Sequence, residues 1–242
     1  MKRLLLATAI LIAAAGSAHS YTAYLRPSEF WPDSSRVNVQ GAYATTFFTP
    51  EIALGGEFAI IEPDGSNGVF SQVEIGTNVT SLASSLLEGG TYRITTGEVL
   101  GGVSTLVGTD GSWRALGQGE APPEGAQTTT LQTVTVSDVY VTRGGPTRES
   151  VDRTIGRLAL RPVTHPNQIL VNQGFQVQAL FDGQAFANTA IVLYREGQSE
   201  TALDRYFVTD ANGNATVTFD EPGSYILAAR HRANAPAGAQ AQ

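Results

Sequence analysis

The feature that most constrains this chain is how often it is punctuated. Beyond residue 20 the apolar residues fall at alternate positions in short runs, and glycine, proline, asparagine or aspartate ends nearly every run. Alternation sends successive side chains to opposite faces, which is the period of a strand and not of a helix. Glu62-Pro-Asp-Gly65 is a turn sequence, and Asp110-Gly111, Asp182-Gly183 and Asn212-Gly213 are hairpin or turn pairs. Few long runs of helix formers exist after the first 18 residues, and the 242-residue chain carries 26 Gly and 11 Pro. The expectation is an all-β protein.

The strands fall into two groups. Val37 and Val39, Phe58–Ile61, Gly90–Ile94, the hairpin Leu106–Trp113, Thr128–Val136 and Asp138–Thr142 belong to a set of seven or eight, enough for one sandwich. Arg143-Gly-Gly-Pro-Thr147 breaks the pattern, and residues 148–157 are charged and polar, as in a linker with a helical turn. A second group follows at Phe175–Phe181, Ala190–Tyr194, Tyr206–Val208, Ala215–Phe219 and Tyr225–Arg232. The expected division is a leader over 1–18 (or 1–20), an N-terminal β-sandwich over 19–145, a linker over 146–158, a C-terminal β-sandwich over 159–233 and a small polar tail over 234–242. About six strands make a thin second sandwich, with room for one more.

Residues 1–20 have a different pattern. Lys2 and Arg3 precede a twelve-residue apolar stretch, Leu4–Ala15, too short for a bilayer span of about 20 residues. Small residues follow, from Gly16 to Ser20, which makes the segment a secretory signal peptide. Cleavage after Ala18 leaves His19 as the mature N-terminus, whereas cleavage after Ser20 removes it. Export of a chain without cysteine fits a bacterial periplasm or secretion. No later stretch is apolar enough to span, so no stable membrane insertion is expected.

Composition narrows the chemistry. The formal net charge is −7, and without the two positive charges of Lys2 and Arg3 the body stands at −9. Such a body repels nucleic acid and anionic lipid. With no cysteine there is no disulfide, thiolate ligand or cysteine nucleophile, and with Lys2 as the only lysine there is no phosphate-loop or Schiff-base lysine in the body. No Gly-x-Ser-x-Gly elbow occurs. A binding protein, not an enzyme, is the expectation. A copper mono-oxygenase built on an N-terminal histidine is the one enzyme class left open.

Three histidines are the candidate metal ligands: His19, His165 and His231. Imidazole nitrogen suits copper, nickel or zinc, and an N-terminal His19 would add its own amine as a fourth nitrogen. The alternative is structural: His165 bonds turn backbone, His231 covers a half-buried face and His19 is discarded. Asp210-Ala-Asn-Gly-Asn with Glu221 mimics a calcium loop, but Ala215 stands where the loop needs glycine, and a hairpin turn accounts for it better. Glu120 and Glu124 lie in a Pro/Gly loop and read as solvated. Trp31, Phe47, Phe48 and Trp113 could line a sugar site, though in strands aromatics are more often core.

Several motifs together resemble a bacterial exported family labelled as a nickel-uptake or cobalt-transport periplasmic component. They include Tyr24-Leu-Arg-Pro27 with Phe30, Phe47-Phe48-Thr-Pro50, Gly111-Ser-Trp113, Asp138-Val-Tyr-Val-Thr-Arg143, Arg161-Pro-Val-Thr-His-Pro-Asn167, Phe181-Asp-Gly183 and Arg230-His-Arg232. The second half also resembles transthyretin-like or carboxypeptidase-regulatory Ig-like modules, through Thr209-Asp-Ala-Asn-Gly213 and Pro222-Gly-Ser-Tyr225. The resemblance implies two Ig-like or transthyretin-like sandwiches and a part in transition-metal uptake beside a membrane transporter. The rival expectation is a structural or partner-binding module beside an outer-membrane receptor. This sequence departs from the family pattern in the distance of His19 from the Leu-x-Pro piece, and in Thr45 and Thr46 where acidic residues are expected.

Overall fold

The computed structural model describes residues 21–109, 111–117, 119–203, 205–236 and 238–239. The chain is all-β, with one four-residue α-helix and one short 3-10 turn among the described residues. The first half holds β1 (Thr22–Pro27), β2 (Arg36–Ala44), β3 (Ile52–Ala53), β4 (Ala59–Ile61), β5 (Gln72–Ile75), β6 (Thr80–Ser85), β7 (Gly90–Thr95), β8 (Val99–Thr109), β9 (Ser112–Ala115), β10 (Thr128–Thr135) and β11 (Asp138–Arg143). One antiparallel sheet runs β1-β2-β6-β5 with β3 beside β2, and a second runs β11-β7-β4. Alternate residues of each meet in a common core of Val37, Val39, Leu54, Ile60, Leu82, Tyr92, Ile94 and Val141. β2 shows the alternation most plainly, with Val37 and Val39 buried between exposed Arg36, Asn38 and Gln40.

After α1 (Glu149–Asp152) the second half holds β12 (Leu158–Pro162), β13 (Gly174–Phe181), β14 (Gln184–Ala185), β15 (Ala190–Arg195), β16 (Tyr206–Val208), β17 (Asn214–Thr218) and β18 (Tyr225–Ala229). Its sheets are β12-β13-β14, with β17 also on β13, and β16-β15-β18. Phe175, Val177, Ile191, Leu193, Val217 and Phe219 form the core between them. The calcium-like sequence is a turn. Asp210 Oδ1 accepts from the N–H groups of Asn212 and Asn214, both at 2.8 Å, and Glu221 pairs with Arg195. Gly213 is required there, because φ is 76° and a Cβ would come within 2.6 Å of the Ala179 carbonyl.

The halves pack on each other through a sheet face. Period two points Tyr24, Ala42 and Ala44 away from the first core, and they meet Phe48 and Ile226. Phe47 is 1% exposed and packs on Tyr194 with ring centroids 4.6 Å apart. The chain at residues 45–47 also pairs with 197–200: Phe47 N–H donates to the Gln198 carbonyl and Glu200 N–H to that of Thr45. Arg26–Glu196 lies at the rim.

β8, β9 and β10 form a sheet of their own, whereas strand counting puts all seven or eight strands of the first half in one sandwich. β7 pairs with β11 up to Thr95↔Asp138, and after two short jogs the same two chain segments pair again as Val99↔Thr135. The ladder therefore leaves the body as an arm, ordered β10-β8-β9. Both faces meet solvent. Leu100, Val103, Trp113 and Val134 are each more than 40% exposed, and among the described side chains of the arm only Leu106 and Val107 are buried. The three residues Gly156, Val136 and Glu98 crowd together at its root, where Arg157 N–H donates to Glu98 at 2.9 Å.

Candidate functional site

His165 sits in a buried junction between the halves. It precedes the 3-10 turn Pro166–Gln168, and its Nδ1 accepts from the Asn167 N–H at 3.1 Å. The proton is thereby on Nε2, which lies 2.9 Å from the Thr147 carbonyl and 3.2 Å from Thr91 Oγ1. Thr91 and Thr142 hydroxyls are 2.8 Å apart, and Thr142 donates to Asn167 Oδ1 at 2.5 Å. The one Nε2–H is shared between the Thr147 carbonyl, its nearer acceptor, and Thr91; from Thr91 donation runs on to Thr142 and from Thr142 to the Asn167 side chain, while the Asn167 backbone N–H donates back to His165, which closes the ring. Each bond in such a chain polarises the next. Thr91, Thr142 and Ser150 are fully buried and His165 is 6% exposed. Both imidazole nitrogens are engaged, so neither is open to a metal ion.

His231 lies elsewhere. Its ring stands edge-on to Phe181 at 4.8 Å and to Phe186 at 4.6 Å, and Arg157 covers Phe181 at 4.8 Å. It is exposed, and its nitrogens have no partner among the described residues. Val163 and Thr164, just before His165, bond Gln176 on β13, whereas His231 packs on Phe181, the last residue of that strand. Five residues of strand separate those points, about 17 Å. The structure therefore does not bring His165 and His231 together. His19 lies outside the described residues. Among the described residues, no three His, Asp or Glu side chains converge where an ion could sit.

The remaining candidates separate cleanly. Glu120 forms an ion pair with Arg114, and this bond, with the Gly117 N–H, lowers its carboxyl to about 2. It tethers the loop between β9 and β10. Phe47 belongs to the interface between the halves, but Trp31 and Trp113 are exposed by 56% and 42%. Trp113 leans over Gly108, where a side chain would meet its ring at 3.4 Å, and borders a cleft of about 360 Å³ with Gly111, Gly125 and Gln127.

The feature that sequence reading missed is the edge of the arm. Gly108 N–H donates to the Gln127 carbonyl at 2.9 Å, so odd-numbered residues of the following strand face β8. Thr128, Thr130 and Val134 then turn their backbone N–H and C=O groups away from β8. β10 reads Thr-Thr-Thr-Leu-Gln-Thr-Val-Thr, with no charge and no proline. Edge strands are ordinarily blunted by such residues. The eight-residue run without them was the available signal.

Fold and surfaces together define an almost wholly β architecture: two packed β-sandwiches carrying a β arm. The chain belongs to the DUF4198 family, a domain of unknown function, whose model matches residues 17–233. No curated protein matches it. Among solved structures, a DUF4785 family protein from Legionella pneumophila is similar at a TM-score of 0.27 and 10% identity, over 87% of this chain and 47% of that one. The chain thus spans about half the length of that protein, and the likeness carries no argument. No helix among the described residues is long and apolar enough to cross a membrane.

Proposed function

We propose that this is an exported, non-catalytic binding protein and that the arm is its contact element. The observation that supports this is the outer side of β10, where Thr128, Thr130 and Val134 turn main-chain donors and acceptors away from β8 and so suit an extended, uncharged segment. Strand addition gives affinity through backbone hydrogen bonds and selectivity through alternate side chains. A photo-cross-linking residue at Thr130 should give a discrete adduct in living cells, and the same residue at exposed Ser85 should not. Absence of any adduct at Thr128 and Thr130 in a folded, exported protein would remove the reading.

One observation favours a second reading, binding of a nickel, cobalt or copper ion. Arg230 Nη2 donates to Thr22 Oγ1 at 2.7 Å, which sets the start of β1 beside the residue preceding His231. His19 is three residues before Thr22, a chain reach of at most about 11 Å. His231 with the ring and amine of a mature N-terminal His19 would be the ligand set, without His165. The test is intact mass of the exported protein followed by metal titration. His231→Ala should weaken binding at least about tenfold, through loss of one nitrogen ligand, and His165→Ala should not. Cleavage after Ser20, or affinity indifferent to His231→Ala, rejects it.

A further inference from the structure

We infer that the cleft beside Trp113 binds a neutral glycan, with one pyranose ring stacked on the indole and its hydroxyls bonded to Gln127. This goes beyond the contact edge of β10 and does not rest on it. Strand register builds the site. Gly108 on β8 pairs with Trp113 on β9, and Val107 pairs with Thr128 at the start of β10. Gln127 therefore stands opposite Gly108, whose N–H donates to the Gln127 carbonyl at 2.9 Å. Residues directly opposite share a face, so Gln127, Gly108 and Trp113 form one row across the arm. With no side chain in the middle of that row, the outer two flank a trough, which is the cleft of about 360 Å³.

Gly108 also sets the indole. A Cβ there would lie 3.4 Å from Trp113 Cη2 and Cζ3, so the six-membered part of the ring rests against this strand. The residue is nevertheless 42% exposed, which makes it a supported flat surface facing water. An aromatic face is electron-rich and attracts C–H groups that carry a slight positive charge. A pyranose with equatorial substituents offers such C–H groups from its flat face, and its rim of hydroxyls both donates and accepts hydrogen bonds. The Gln127 side-chain amide also donates and accepts, and it has no hydrogen-bond partner among the described residues.

Charge and hydrogen bonding select a neutral glycan over its rivals. None of the described residues bordering the cleft is charged, and Arg114 alternates to the other face and is paired with Glu120. The acidic body repels an anion. A cation would find a single ring and no bordering carboxylate among the described residues. A proline-rich peptide also stacks on indole, but proline has no N–H for the Gln127 amide oxygen. At Gly111 and Gly125 a Cβ would meet nothing within 4 Å, so a polymer has room to cross the trough without its ends being enclosed.

The chain has two tryptophans, so Trp31→Phe leaves Trp113 as the single indole reporter. Its fluorescence should shift to the blue and saturate as cellotetraose or chitotetraose, both β-1,4-linked with equatorial substituents, is added up to about 10 mM. Sorbitol, which has the hydroxyls without the ring, should leave it unchanged. In calorimetric titration of the full protein, Trp113→Ala should lose glycan binding and Trp113→Phe should keep it more weakly. Gln127→Ala should weaken it about threefold or more, through loss of one neutral hydrogen bond. All three variants should keep the parent circular dichroism. Four results overturn the inference: no saturable response to either glycan, an equal response to sorbitol, binding that survives Trp113→Ala, or tighter binding of a decaproline peptide than of either glycan. Glycan binding without a Thr130 adduct in cells keeps this site and removes strand addition at β10. An adduct without glycan binding does the reverse.

Discussion

At His165, two backbone groups depend on one ring. Removing it leaves the Asn167 N–H and the Thr147 carbonyl each short of a partner in a buried place, whereas Thr91 Oγ1 keeps the Thr147 N–H and Thr142. An unsatisfied buried group costs about 1–3 kcal/mol. His165→Ala should therefore lose roughly 3 kcal/mol, and its melting temperature should fall by about 6–12 °C in a chain of this size. His231→Ala removes an exposed ring and should stay within about 1 kcal/mol of the parent. Equal losses would contradict the ring of bonds. Arg93 gives a second case. Burial works to lower its pKa, but the Asp138 carboxylate at 2.6 Å reverses this and holds the guanidinium above its usual value. Asp138→Ala would strand that charge at a cost of about 3–5 kcal/mol, measurable by urea denaturation. The sequence places His165 correctly in an extended pre-proline turn. It does not disclose Thr91, which is 74 residues away, because that contact exists only once β7 and the turn after β12 are packed together.

At the scale of elements, period two predicts the strands well and their sheets poorly. Thr128–Val136 alternates like any sandwich strand, and nothing in it says that its partner β8 has left the body. The jogs at Thr96–Glu98 and Val136–Ser137 decide that, and they carry no turn dipeptide to announce it. The arm has little apolar cover, so its amides should exchange with deuterium well before those of β7, which is buried along its whole length. Comparable protection of β7 and β10 would show that the arm is held against the body. Gly156 guards its root. With φ at 74° and a Cβ position 2.8 Å from Val136 Cγ2, Gly156→Ala is both strained and crowded. It should cost about 1–3 kcal/mol and speed exchange in β10.

For the whole molecule, the packed face between the halves makes them one cooperative body. Tyr24, Phe47, Phe48, Tyr194 and Ile226 are shared between them, and the ring of bonds around His165 joins them a second time. Calorimetry should show a single endotherm for the protein. Phe47→Ala, which removes about 3–5 kcal/mol of buried aromatic packing, should split it into two. A single endotherm that merely shifts would mean that the halves unfold together for another reason. Two sandwiches are legible in the composition and turns, but their fusion is not, since Phe47-Phe48 reads as ordinary core. The continuity of β7 with β8, and of β10 with β11, also has a mechanical meaning. A tug at the tip of the arm runs down both strands into the middle of the first sandwich. There it must slide β7 lengthwise past β4, loading that set of cross-strand bonds together instead of peeling them singly. The arm is therefore anchored as a tensile member, and whatever grips it can pull on the whole protein before any part of it tears.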